Sequence, residues 1–506
     1  MQSEKRMLLD VNEFPKSKGQ AFILALQHVL AMFVACITVP LIVYAPYAVK
    51  VGGSFVSLVS VLVGPTIVAA GIGTLFYLLM TKFKSPMFLA SSFAYMAPME
   101  AAIGIGAIPL MDGGSPVVIN GVAMMMPNLW ILPIGMAMVG CIYCLVALLI
   151  KLFGVGWLNK LLPPIVVGPV IMVIGLSLAS SAVGNLTGVY TTGGYNFIYI
   201  ICGLIAMTAT ALAAHYGKGT VALIPFIIGM AAGYLAACLF TAIGYGTNTD
   251  YLKVIDFSSL VTDFVPLRFQ SFLDYPKFLF LLSDSSVSLS WADVGKAALL
   301  FVPVSFVTIC EHIGDHKNMS GILDRDLLTD PGLTRTLIGD GVATAISGPL
   351  CGAANTTYGE NVAVVGVTKI ASTKVIALAC AIAIALGFLS PLMSFTMTIP
   401  ACVTGGVSLI LYGFIAASGV KMLISERIDF GETKNIFVAS VILVAGIGGL
   451  AFKFGDANNP MVEITSIAVS MILGIIMNLI LKDKKKPATP KAEESVSESI
   501  SSEIVK

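Results

Sequence analysis

"SSFAYM", residues 91–96, has an echo in "TTYGEN", residues 356–361. Each stretch is two hydroxyl residues, an aromatic residue and then a small one, set inside a short hydrophobic segment. Unpaired backbone at membrane depth is tolerated only where it lines a cavity or is buried in protein. If each stretch is a short extended piece followed by a half-helix, two helix N-termini face a central site. Their free N–H groups and positive dipole ends suit carbonyl oxygens or an anion.

The surrounding chain is built for a bilayer. Of its 506 residues 57% are hydrophobic and 11% charged, and its mean hydropathy is +0.93. A soluble protein carries about a quarter charged residues. Runs such as Ile198–Ala214, Val221–Ala242 and Val375–Leu389 approach the length needed to cross about 30 Å of hydrocarbon. The expected fold is an all-α polytopic membrane protein of about fourteen spans. They fall near 20–45, 56–81, 87–106, 127–152, 162–183, 195–214, 219–243, 293–316, 333–351, 355–371, 373–392, 400–420, 434–453 and 462–481. The first apolar run continues past signal-peptide length and is expected to be retained.

Net charge is only +1, yet the cations are unevenly distributed along the chain. With fourteen spans, 23 Lys and Arg share the side of the termini and six fall opposite. By the positive-inside bias both termini are cytoplasmic. The nine Cys show no CxxC pair and read as small packing residues. The tail from Lys482 is charged and Ser-rich, with the composition of a disordered segment whose basic start can touch anionic lipid. The outer segment 244–292 reads as partly ordered.

A second echo supports a duplication. "GPVIMVIGLSLASSAV" begins at Gly168 and "GVSLILYGFIAASGVK" at Gly406, so that Gly168, Gly175, Ala179 and Ser180 align with Gly406, Gly413, Ala417 and Ser418. These would be the fifth span of each half, and the broken segments the third, that is spans 3 and 10. Seven spans per half is an odd number, so the second copy is inverted in the membrane. Inverted repeats with interrupted spans at matching ranks point to a secondary transporter.

The chain's densest polar cluster is "TICEHIGDHKN", residues 308–318, at the end of a hydrophobic run. On a helix Glu311 and Asp315 share one face and His312 and His316 the neighbouring one. Each uncompensated carboxylate near the bilayer centre costs about 2.5–3.5 kcal/mol on insertion scales, so such residues normally serve a pathway or a site. Glu311 is the strongest candidate, followed by Glu360, beside Asn361, and then Asp340 in "LIGDGVATAISG". His316 and Lys317 read as ordinary polar residues at a span end, His28 as a histidine bonding between helices, and His215 as a loop residue. An intramembrane metalloprotease needs Glu after the first His, and here Glu311 precedes His312, so no metal site is expected. No P-loop is present, so ATP is not expected to drive this chain.

Gln27-His28, "SSFAYMAP", "EHIGD", "DPGLTRTLIGDG", "NTTYGENVAVVGVTK" and "GGVSLILYG" together resemble the nucleobase–cation symporters, also called nucleobase–ascorbate transporters, and most closely their bacterial uracil permease branch. The likeness runs from about residue 20 to 480. Ala363 stands where the family signature usually has Gly. The resemblance implies fourteen spans in two inverted seven-span repeats. A core domain would comprise 20–155 (spans 1–4) and 291–395 (spans 8–11), and a gate domain 156–290 and 396–481. Segments 1–19 and 482–506 would lie in the cytoplasm. It also implies that Glu311 and Glu360 bond the base ring, with Phe93, Tyr358, Gly359 and Asp315 as the other substrate-binding residues. Asp315, Glu311 and Glu360 would then couple to protons, and His28, Asn361 and Asp340 would support the site.

Some uracil-type members have His where this chain has Asp315. Asp at this position, like Asp340, is also associated with purine-type members, whereas Glu360 replaces the Gln of xanthine-type members. The expectation is therefore proton-coupled uptake of uracil across the plasma (inner) membrane, by a transporter and not an enzyme. Na+ stays open as the driving ion, and xanthine or another purine base as the substrate. A transporter of the same fold that carries anions is the weaker alternative, because the candidate site is acidic. A channel fits two broken central segments less well than alternating access does. No cofactor and no nucleic-acid partner is expected, whereas contact with membrane lipid is, and the family resemblance suggests a homodimer through the gate domain.

Overall fold

A computed structural model describes residues 7–44, 47–51, 54–119, 122–189, 194–282, 289–455 and 460–481. The segment 1–6 and the tail from 482, expected to be disordered, lie outside the described residues. The chain is mostly helical. Among the described residues eight helical segments are long and apolar enough to cross a membrane: Lys18–Val43, Leu58–Met80, Ile131–Phe153, Pro164–Thr187, Phe197–Tyr216, Pro225–Thr247, Trp291–Leu323 and Ala401–Ser425. Thr373–Leu386, Thr433–Ile447 and Ser466–Ile480 are shorter apolar helices. His215 lies in the last turn of the helix Phe197–Tyr216, not in a loop.

The helices pack in two groups. Leu58–Met80 lies against Leu333–Ser347 and Thr373–Leu386, and Leu333–Ser347 also lies against Ile131–Phe153. In the other group Ala401–Ser425 packs on Pro164–Ser177 and Phe197–Tyr216, and Phe197–Tyr216 on Pro225–Thr247. Lipid gives helices no hydrophobic reason to associate, so close approach of small residues carries the packing. A Cβ on Gly140 would lie 2.8 Å from the Gly341 carbonyl oxygen, and one on Gly406 would overlap that of Gly203. The stretches that echo each other from Gly168 and Gly406 pack together, with Gly175 against the Tyr412 backbone.

The segment 244–292 contains the turn Asp250–Leu252 and the helices Ser258–Phe264 and Leu279–Leu282. Its start is pinned by Thr241, whose hydroxyl accepts from the amides of Val254 and Ile255, each at 3.1 Å. At the N-terminus Met7–Glu13 straps the turn after residue 368. The Leu8 amide donates to the Lys369 carbonyl at 2.8 Å, the Ala371 amide donates to Leu9 at 2.9 Å, and Asp10 pairs with Arg325.

Candidate functional site

The two broken stretches meet. Leu89–Ser91 pairs antiparallel with Asn355–Thr357, in the register Ser91 to Asn355, Ala90 to Thr356 and Leu89 to Thr357. Two strands of three residues leave outer edges that water cannot reach, and each unsatisfied backbone group there is costly. Side chains of neighbouring helices close these edges. Thr74 accepts from the Leu89 amide at 2.9 Å and donates to the Leu89 carbonyl at 3.0 Å. Thr344 donates to the Asn355 carbonyl at 2.8 Å, and the Asn355 amide group donates to the Ala69 carbonyl. The ladder is extended by the Ser92 amide bonding to Ala354 and the Tyr358 amide to Phe88.

Beyond each strand the chain turns into a short helix, Met96–Ile103 in one case and Gly359–Thr368 in the other. Phe93 lies in the first junction. Tyr358 caps the second helix, whose first turn holds Gly359, Glu360 and Asn361. These ends and the middle of the helix Trp291–Leu323 line a small, partly open cavity. Phe93, Glu311, Tyr358, Gly359 and Glu360 line it, together with Ser91, Ala94, Thr356 and Thr357. Ile171, Ile174 and Ile415, from the other helix group, form an apolar wall. The Phe93 ring meets Tyr412 edge-on at 6.1 Å. Glu311 and Glu360 are half-buried, whereas Phe93 and Tyr358 are buried.

The other candidate residues do not line the cavity. Asp315 accepts a hydrogen bond of 2.7 Å from the Thr357 hydroxyl, which ties the Glu311 helix to the strand leading into Glu360. The Asn361 amide group donates to Nδ1 and to the carbonyl of His28, both at 3.1 Å. His28 thus bonds between helices, and it does not line the cavity. Asp340 is fully buried and bonded to Nδ1 of His312 at 2.7 Å, also away from the cavity lining.

Sequence reasoning did not find Thr357 as the clamp on Asp315, nor the three isoleucines. Thr357 had a signal, since it stands beside Tyr358 in the quoted motif. An isoleucine in an apolar span carries none. His316 is fully buried, contrary to the expectation of an ordinary residue at a span end. The helix it belongs to runs on to Leu323, so His316 is an interior position.

The fold is shared with solved membrane proteins. The murine Solute Carrier 26 family member A9 anion transporter in the inward-facing state matches with a TM-score of 0.58 at 10% identity, over 92% of this chain and 69% of that one. The transmembrane domain of a cyanobacterium bicarbonate transporter matches with a TM-score of 0.52 at 11% identity, over 92% and 99%. At such identities the likeness concerns the fold alone. Residues 19–454 match the model of the Permease family (Xan_ur_permease), and the chain belongs to that family. It is 40% identical to a uracil permease of Bacillus caldolyticus, over 98% of this chain and 99% of the relative. It is 34% identical to a uracil permease of Bacillus subtilis over 97% and 99%, and 33% identical to one of Escherichia coli over 94% of each. The family expected from the motifs is the one found, and the chain is a multi-pass membrane transporter, not an enzyme.

Proposed function

We propose that this permease takes up uracil across the plasma membrane by proton-coupled symport with alternating access. The observation that carries this is the convergence of Glu311, Glu360 and the Tyr358–Gly359 helix start with Phe93 on one cavity. A uracil ring presents two N–H donors and two carbonyl acceptors in one plane. Carboxylates accept from the N–H groups, backbone N–H groups at the helix start donate to the carbonyls, and Phe93 with the isoleucines packs on the apolar face. The names borne by the relatives support uracil over other bases.

Substrate lies between a core of 20–155 and 291–395 and a gate of 156–290 and 396–481. The chain has fourteen spans as two inverted repeats and both termini cytoplasmic, and two copies pair through the gate. Ile171, Ile174 and Ile415 are the gate's contribution to the wall, and their movement away from the core opens the site. Carboxyl groups gathered in a low-dielectric site exchange protons with occupancy. Glu311, Asp315 and Glu360 couple binding to the proton in this way, and Asn361, His28 and Asp340 position them. One proton moving down 100 mV supplies about 2.3 kcal/mol, enough for about fifty-fold accumulation of a neutral substrate.

The test is uptake of labelled uracil, with xanthine in parallel, into cells lacking nucleobase carriers, with and without a protonophore. Uracil uptake is expected to collapse with the protonophore and in Glu311→Gln and Glu360→Gln. Xanthine uptake in place of uracil would overturn the substrate. Uptake that follows a Na+ gradient and ignores the protonophore would overturn the ion.

A further inference from the structure

Behind the cavity runs a string of buried polar groups that do not line it. Asp340, His312, His316, Tyr77 and Ser85 are all fully buried, in a chain only 11% charged. His316 Nδ1 lies 2.8 Å from the His312 carbonyl oxygen. A carbonyl only accepts, so Nδ1 carries the hydrogen and Nε2 of the neutral ring is an acceptor. That Nε2 is 2.6 Å from the Tyr77 hydroxyl, which is in turn 2.8 Å from the Ser85 hydroxyl. Ser85 follows Lys84, whose ammonium pairs with Asp330 at the surface. At the inner end the His316 and His312 rings stack at 4.1 Å. Among the described residues His312 Nε2 and Asp340 Oδ1 have no hydrogen-bond partner, although both are buried.

The geometry points to a proton conduit from the loop at Lys84, through Ser85, Tyr77 and His316, to the buried His312–Asp340 pair, distinct from the cavity carboxylates Glu311 and Glu360. It rests on the proton-coupled function proposed above and names the side chains that load and unload the proton on that face. The Tyr77 hydroxyl has one hydrogen, which points either to Ser85 or to His316 Nε2. A proton arriving on Ser85 displaces the Ser85 hydrogen to Tyr77, and the Tyr77 hydrogen passes to His316 Nε2. His316 then carries hydrogen on both nitrogens. When the His316 ring turns about its Cβ–Cγ bond, off Tyr77 and out of the stack with His312, it yields the Nε2 hydrogen to the free lone pair of His312. The added charge there faces the Asp340 carboxylate across the Nδ1 bond. No atom or electron is lost, and the reverse sequence resets the hydroxyls.

The groups facing this path are few. Tyr77 and Ser85 face His316, whereas Asp340 and Tyr143 face His312, the latter edge-on at 6.4 Å. Asp315 and exposed Lys317 flank His316 on its own helix, with Asp315 held by Thr357 and Lys317 by Glu426 at 2.9 Å.

The experiment uses the purified full chain in lipid vesicles and separates two modes. Counterflow exchanges labelled for unlabelled uracil on a loaded carrier and needs no net proton release. Uptake driven by a pH gradient does need it, and a trapped pH dye reports the accompanying proton flux. Tyr77→Phe and His316→Gln are expected to keep counterflow within about twofold of wild type. Their initial rate of gradient-driven uptake should fall about tenfold or more, because a broken chain removes the relay but not the site. Ser85→Ala, which removes the entry link to Tyr77, should have the same effect. Wild-type rates of driven uptake in Tyr77→Phe and His316→Gln would overturn the conduit, as would equal loss of both modes in folded protein, which marks a structural role. Wild-type counterflow with no response to the pH gradient would instead remove proton coupling, and the conduit with it.

Discussion

Replacing Thr357 by Val is the sharpest probe of how the site is held. The two side chains have nearly the same shape, and Thr357 is almost completely buried, so packing is kept and the hydroxyl alone is lost. That hydroxyl donates to Asp315 at 2.7 Å. It is the side-chain tie between the Glu311 helix and the last strand residue before Tyr358, Gly359 and Glu360. A hydrogen bond to a charged group contributes about 1.5–3 kcal/mol, and one to a neutral group about 0.5–1.5 kcal/mol. At about 1.4 kcal/mol per factor of ten, a charged Asp315 makes the loss worth about ten- to hundredfold in affinity. A neutral one makes it about tenfold or less. The ladder bonds to Leu89–Ser91 are untouched by the change, so the strand keeps its register and the site loosens without unfolding. The assay is the apparent KM for uracil together with the thermal midpoint of purified protein, for Thr357→Val and for Thr357→Ser, which restores the donor. Valine is expected to raise KM, with serine within about twofold of wild type. An unchanged KM and midpoint in the valine variant would show that Thr357 does not hold the site and would refute the reasoning.

Two further perturbations follow from the packing. Asn361→Ala leaves Nδ1 and the carbonyl of buried His28 without their shared donor. The carbonyl keeps its bond within the helix Lys18–Val43, so at about 1–3 kcal/mol for the one buried group left unsatisfied, Nδ1, the thermal midpoint should fall and uptake should weaken through displacement of neighbouring Glu360. A wild-type midpoint would contradict this. Gly140→Ala places a Cβ 2.8 Å from the Gly341 carbonyl oxygen, on the helix that carries Asp340. Overpacking of this kind costs about 1–3 kcal/mol, measurable as a lowered midpoint, whereas Gly→Ala at open Gly156 should be neutral.

Much of this protein is legible along the chain, because the relevant physics is local. Long apolar runs and scarce charge require a bilayer whatever the fold. The interruptions at "SSFAYM" and "TTYGEN" mark backbone that cannot stay unpaired in lipid, and both became a strand followed by a short helix. Glu311, Glu360, Phe93, Tyr358 and Gly359 were named from their motifs and lie around one cavity. Helical spacing also puts Glu311 and Asp315, four residues apart, on one face, and His312 and His316, one residue on, on the next.

Which surface each face meets is a long-range matter that spacing does not contain. The pairing of Ser91 with Asn355, the reach of Thr74 and Thr344 to the strand edges, and the isoleucine wall all depend on helices brought together from distant parts of the chain. His316 shows the limit most clearly. By sequence it is a polar residue beside Lys317 at a span end. Packing turns it inward onto Tyr77, while Lys317, one residue on, projects outward to Glu426. A step of one residue on a helix rotates the side chain by about 100°, and only the neighbours present on each side determine which of the two is sealed from water.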